Sequence, residues 1–218
     1  MAPKKNRKLL ELTPMNERQR LYINALETRN QIIVLGPAGT GKTYIAATYA
    51  AKMLQEGTID RIVITRPNVA SGNRLGFDPG TALEKMMGWV VPVLDVLRKH
   101  LGSDLVFQYI KSGQIEFASF EKMRGRSFED CFVILDEAQN VTPHEMKMFL
   151  TRLGENCKAV IDGDIQQSDI KGQSGLSVAI NLSKKYNILV PIVEFTFDDI
   201  VRSELCKQWI VAFYKEGL

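Results

Sequence analysis

Apolar residues recur along this chain in two rhythms. Continuous runs of four or five residues, QIIVL (31–35), RIVIT (61–65), IEFAS (115–119), CFVIL (131–135), KAVID (158–162) and IVEF (192–195), have the length of strands. QIIVL, a short continuous apolar run, is what a parallel strand buried on both faces would show. Between the runs the period changes to that of a helix. Leu21, Tyr22, Ala25 and Leu26 share one face of TPMNERQRLYINALETRN, and TYIAATYAAKMLQEG reads as an alanine-rich helix stopped by Gly57. A helical stretch from about Thr81 to His100 is predicted to kink or split at Pro92. TPHE opens another helix, with Thr142 as cap, Pro143 in the first turn and Glu145 closing a capping box. Further helices are predicted over roughly 175–185 and from TFDD (196–199) to the C-terminus.

Strands alternating with helices imply an α/β architecture with a doubly wound, mostly parallel sheet. A chain of 218 residues makes one domain, here 13–218, with its only long detour at about 66–114. Residues 1–12 read as a basic, disordered tail, since Lys4, Lys5, Arg7 and Lys8 precede any acid. Without those four of its 28 basic residues, the chain sets its remainder against 25 acidic ones, so the body is close to neutral. Such a tail adds non-specific attraction to phosphates, or is merely a solvated terminus. No apolar run approaches the ~20 residues that span a bilayer, which predicts no membrane segment. Cys131, Cys157 and Cys206 lie far apart without metal-ligand spacing, as expected of a reducing cytoplasm.

The chemistry enters with GPAGTGKT, residues 36–43, placed directly after a strand and before a helix. Gly36, Gly41, Lys42 and Thr43 match G-x-x-x-x-G-K-[ST]. In such a loop Gly36, Pro37, Ala38, Gly39, Thr40 and Gly41 wrap a polyphosphate with inward backbone N–H groups. The helix beginning at Lys42, Thr43 and Tyr44 adds its N-terminal N–H groups and partial positive charge. Lys42 would bridge the outer phosphates, and the Thr43 hydroxyl would sit on Mg²⁺.

CFVILDEAQN is a buried strand ending in two carboxylates. At the carboxyl end of a parallel strand they stand where open α/β sheets bind ligands. Asp136 would hold Mg²⁺ through its water shell, and Glu137 would orient the attacking water. VIDGDIQQSD (160–169) is a further strand ending in polar residues, from which Gln167 could contact the γ-phosphate of ATP.

In this order GPAGTGKT, DEAQ and GDIQQ resemble motifs I, II and III of superfamily 1 helicases. The resemblance is closer to the PhoH family of bacterial and phage ATPases, through GPAGTGKT, TRPNV, LGFDPG, MRGRSF, ILDEAQN, FLTRLG, GDIQQSD, SGL and DIVRSEL over residues 16–215. It implies a RecA-like P-loop ATPase that uses ATP and Mg²⁺, in a family associated with phosphate-starvation responses, with RNA unwinding in some members. Asp78 stands where the family has an apolar residue, and Ser203 where it has a histidine.

Phosphoryl transfer needs a cation on the developing charge, and an arginine from a neighbour can accelerate it about 10³–10⁵-fold. A single RecA-like unit would draw that arginine from a second copy, which implies a homo-oligomer, a closed hexameric ring. Arg202 is the favoured finger and Arg152 the second candidate, against the plain reading of surface salt-bridge arginines. Gln19 resembles the adenine-reading glutamine of superfamily 1, against the reading of an exposed helix residue. Arg66, Arg74, Arg124 and Arg126 are the candidates for gripping a single-stranded RNA or DNA backbone. Phe77 and Trp89 could stack on bases but read first as core or interface residues. The expected function is an ATP-driven motor on single-stranded nucleic acid, most of all RNA. The alternative is an ATP-driven regulator of a protein partner, and a small-molecule kinase ranks third.

Overall fold

In the computed structural model, residues 11–67 and 82–217 are described, with backbone alone for 82–89 and for Glu121. The tail before residue 11, Arg74, Phe77 and Asp78 lie outside the described residues, as does the side chain of Trp89. Six strands form a single parallel sheet: β1 (Gln31–Leu35), β2 (Arg61–Thr65), β3 (Ile115–Ala118), β4 (Cys131–Leu135), β5 (Lys158–Gly163) and β6 (Ile192–Glu194), in the spatial order β3-β2-β4-β5-β1-β6.

The two faces of the sheet carry separate apolar clusters, which is why its strands read as unbroken hydrophobic runs. Ile32, Val34, Ile62, Ile64, Phe132 and Ile134 face one side. There they pack on α1 (Glu17–Thr28), α2 (Lys42–Glu56), α3 (Ala82–Leu101) and α4 (Ser103–Lys111). Their alternate neighbours Ile33, Leu35, Val63, Val133, Leu135 and Ile161 face α5 (Pro143–Leu150) and α6 (Gly175–Lys185). This is the doubly wound RecA-like P-loop fold, and Leu12 already packs against its core.

The local signals hold where they are chemical. Gly57 ends α2 in the left-handed region, and the Thr142–Glu145 capping box starts α5. Three expectations change. Helix α3 runs unbroken through Pro92, which lies on its solvent side, and the chain turns only at Gly102, with φ +86°. Helix α4 then fills a stretch where no helix was expected. TFDD makes only a single 3-10 turn, Phe197–Asp199, and the last helix, α7 (Glu204–Lys215), starts later under a Ser203 cap. The delay has a physical cause: Ile200 is buried, and the Val201 N–H donates to the Gly39 carbonyl at 2.9 Å. The segment between turn and helix is thereby held extended against the glycine loop.

Candidate nucleotide site

The strand order brings the carboxyl ends of β4, β5 and β1 side by side, and each delivers one part of the site. β1 delivers the loop. Gly36 leaves the strand at φ +135°, and a Cβ there would stand 2.6 Å from the Phe195 carbonyl oxygen, so only glycine fits. The loop is braced from inside and out. The buried Thr40 hydroxyl donates to the Pro37 carbonyl at 3.0 Å, and the Gln19 amide donates to the Thr40 carbonyl at 3.0 Å. Lys42 Nζ folds back onto the Gly36 and Pro37 carbonyls at 2.8 and 3.1 Å. These weak acceptors hold the ammonium at the mouth of the cradle, ready for stronger ones.

β4 delivers the acids. Asp136 is mostly buried, and that burial together with the neighbouring Glu137 charge raises its carboxyl above the usual range. Glu137 sits in the left-handed region at φ +54°, a conformation that costs a non-glycine residue of order 1–3 kcal/mol and clusters at working sites.

β5 delivers a residue that sequence reasoning passed over. Asp162 is 2% exposed, and it accepts the Thr43 hydroxyl proton at 2.8 Å. Lys42 Nζ stands 3.9 Å from its other oxygen. Burial pushes the Asp162 carboxyl up to about 7, against the opposing pull of Lys42. The resting partner of Thr43 is thus Asp162, where Asp136 was the acid expected beside it.

Gln139 was also missed. It is 1% exposed, and its Oε1 accepts the Asp164 N–H at 3.0 Å. A backbone N–H can only donate, so Nε2 must face the other way, where it donates to Glu137 and to the Gln167 carbonyl. One buried amide therefore joins the acidic pair to the turn after β5. A polar residue inside an otherwise apolar strand end (Asp162) and a glutamine two residues past Glu137 were the signals available for both.

A cleft of about 620 Å³ opens over these groups. That lies within the range of ligand pockets. Gln167 and Arg202 line it together with Leu12, Met15, Gln19 and Tyr44. Gln19 is buried rather than exposed, and its Oε1 accepts the Met15 N–H at 2.9 Å. Its amide is engaged at both ends, Nε2 bracing the loop and Oε1 holding the chain just before α1.

The arginines separate clearly. Arg202 lies across its own loop, its Cγ 3.0 Å from where a Gly39 Cβ would be. Arg152 is remote from the cleft and donates to the Met123 and Met148 carbonyls at 2.9 and 2.7 Å, a tie between α5 and the preceding turn. Arg66 faces inward: its guanidinium is 3.9 Å from Asp136 and 3.5 Å from Glu137. Arg126 holds Glu116 with both arms, and that pairing keeps the Glu116 carboxyl below its ordinary range. Of the four arginines expected on nucleic acid, Arg124 alone among the described residues is exposed and away from acids, beside His144 and Lys147.

The donor set suits Mg²⁺. Thr43, Asp136 and Asp162 offer hard oxygens, and one Asp164 carboxylate oxygen is buried without a hydrogen-bond partner among the described residues. Among those residues no three His, Cys, Asp or Glu side chains form a ready metal cage.

Comparison with known proteins identifies the family. The profile of the PhoH-like protein family matches residues 11–215. Protein PhoH of Escherichia coli K12 is 45% identical over 202 residues, which cover 91% of this chain and 57% of that protein. The PhoH-like protein of Bacillus subtilis 168 is 43% identical over 201 residues, covering 91% and 63%. This chain thus spans about three-fifths of such relatives. Among solved structures, the Pif1 helicase from Candida albicans matches 94% of this chain and 44% of its own, at 15% identity and a TM-score of 0.49. Among the described residues no helix is long and apolar enough to cross a membrane. With a family match over nearly its whole length and a nucleotide-binding P-loop site in place, this chain belongs to the PhoH family.

Proposed function

We propose that the protein hydrolyses ATP and couples hydrolysis to movement on single-stranded nucleic acid, RNA foremost. The observation that carries this reading is the buried Gln139 amide, which ties Glu137 to the turn bearing Gln167. Glu137 and Gln167 line the same cleft, so the link lets a change at the γ-phosphate reach the turn after β5. Phosphates entering the cradle draw Lys42 off the Gly36 and Pro37 carbonyls. Glu137, aligned by Gln139, orients the attacking water and accepts its proton. Mg²⁺, held through Thr43 with Asp136 and Asp162 behind it, would neutralise charge between the outer phosphates.

Arg202 supplies a further cation. It stands over its own chain's Gly39 and borders the cleft, which supports a role in cis on bound phosphates. A hexameric ring with Arg202 as a finger in trans makes a different expectation, a turnover rate per chain that falls on dilution. A dilution series decides: a constant specific rate supports the cis role, and loss of activity on dilution restores the ring.

The test of the whole reading is ATP turnover by purified protein, with and without single-stranded RNA or DNA, at two salt concentrations. Salt-sensitive stimulation is expected, since phosphate contacts through Arg124 and its basic neighbours release counterions. A rate indifferent to both polymers would favour a second reading, an ATP-driven regulator of a protein. The exposed Leu205, Trp209 and Phe213 along α7 speak for that alternative.

A further inference from the structure

We propose that Asp162 is a working part of the divalent-cation site, a third carboxylate whose task is to set the Thr43 hydroxyl for the metal. The inference rests on the nucleotide reading above and extends it to a residue outside the glycine loop and the acidic pair. β5 lies between β1 and β4, and the register pairs Asp162 with Val34 and the preceding Ile161 with Leu135. Asp162 and Asp136 therefore end adjacent strands at the same level, with the loop on the other flank.

A carboxylate 2% exposed needs partners. Those that Asp162 has are the two reactive side chains of the loop: the Thr43 hydroxyl at 2.8 Å and the Lys42 ammonium at 3.9 Å. A hydroxyl carries one proton and two lone pairs. Spending the proton on Asp162 leaves Thr43 Oγ1 as a pure acceptor toward the cleft, which is what a cation requires. The other fate of such a proton is visible on the same helix, where Thr48 donates to the Tyr44 carbonyl four residues back at 2.8 Å. For Thr43 the corresponding carbonyl, that of Gly39, already receives the Val201 N–H. Asp136 is turned to Arg66 instead. Asp162 is thus the acceptor that orients Thr43, and its charge lies behind the metal.

The test measures a fluorescent ATP analogue binding to the intact protein. One titration varies Mg²⁺ or Mn²⁺, and a parallel one in EDTA reads metal-free nucleotide. Asp162→Ala should raise the metal concentration needed by about 10–100-fold, the usual loss for an outer-shell partner. In EDTA the same variant should bind nucleotide as well as or better than the wild type, because a negative charge near the phosphates is gone. Asp162→Asn keeps an acceptor for Thr43 without the charge and should fall between, which guards against a fold lost in the alanine variant. In a Thr43→Val background the alanine shift should shrink, since both changes act through one hydroxyl. An unchanged metal requirement in both Asp162 variants, or equal weakening with and without metal, overturns the proposal. Wild-type protein that binds no nucleotide in either titration overturns the nucleotide reading itself.

Discussion

Replacing Gln139 by leucine keeps the volume of a side chain that is 1% exposed and removes its polar contacts together. The Asp164 N–H loses its acceptor in a place water does not reach. Leaving such a donor unpaired costs about 1–3 kcal/mol. For a domain of this size each kcal/mol lowers Tm by about 2–4 °C. The catalytic effect is separate: Glu137 loses the amide that orients it, and a carboxylate free to turn should lower kcat by about 10–100-fold. Gln139→Glu keeps an acceptor for the Asp164 N–H but buries a second carboxylate against Glu137, so it should lower both stability and turnover. Urea unfolding and steady-state ATP hydrolysis on both variants read the outcome. A leucine variant that turns over ATP at the wild-type rate would refute the coupling between the acidic pair and the turn after β5. One that loses turnover with no loss of stability would refute the buried-donor reasoning.

Lys42→Ala should abolish hydrolysis under every functional reading, and normal turnover would overturn the assignment of the loop. Arg126→Ala should cost about 1–3 kcal/mol, because it strands the half-buried Glu116, and should leave nucleic-acid affinity alone, whereas Arg124→Ala should weaken that affinity and spare stability. The stabilising pair has a pH signature. Glu116 is held below the usual carboxylate range, so its contribution is present above that range and is lost as pH falls through the depressed value. Denaturation curves of wild type and Arg126→Ala should accordingly converge in acid, and a constant gap would count against the pairing. Gly36→Ala should destabilise the loop by about 1–3 kcal/mol, since its φ of +135° and the Phe195 carbonyl at 2.6 Å both exclude a side chain. Differential scanning calorimetry with and without nucleotide checks it, and an unshifted Tm would mean the loop relaxes freely.

The loop, the acidic pair and the strand set were legible because each is written in a local run: glycines at fixed spacing, carboxylates at a strand's end, apolar blocks between turns. Asp162 and Gln139 were not, because their meaning is a distance to something far along the chain. Thr43 and Asp162 are 119 residues apart yet share a proton, and Gln139 meets Gln167 across 28 residues. The surroundings of the arginines were hidden for the same reason. Arg66, Arg126 and Arg152 look alike as letters, and only their neighbours decide that one faces the acids, one clasps Glu116 and one binds carbonyls.

By itself the sequence determined the fold class, the glycine loop between β1 and α2, the Gly57 stop and the Thr142–Glu145 capping box, since these follow from backbone freedom, periodicity and side chains acting within a few residues. The tertiary structure decided which acid serves Thr43, which amide links β4 to the turn after β5, and that Arg202 lies over its own loop. It also decided where the last helix begins, because the Gly39 carbonyl claims the Val201 N–H and keeps that segment extended. Parallel strands distant in sequence lie side by side in the sheet, so the partners of a buried charge are set by strand order, and strand order is a property of the whole fold.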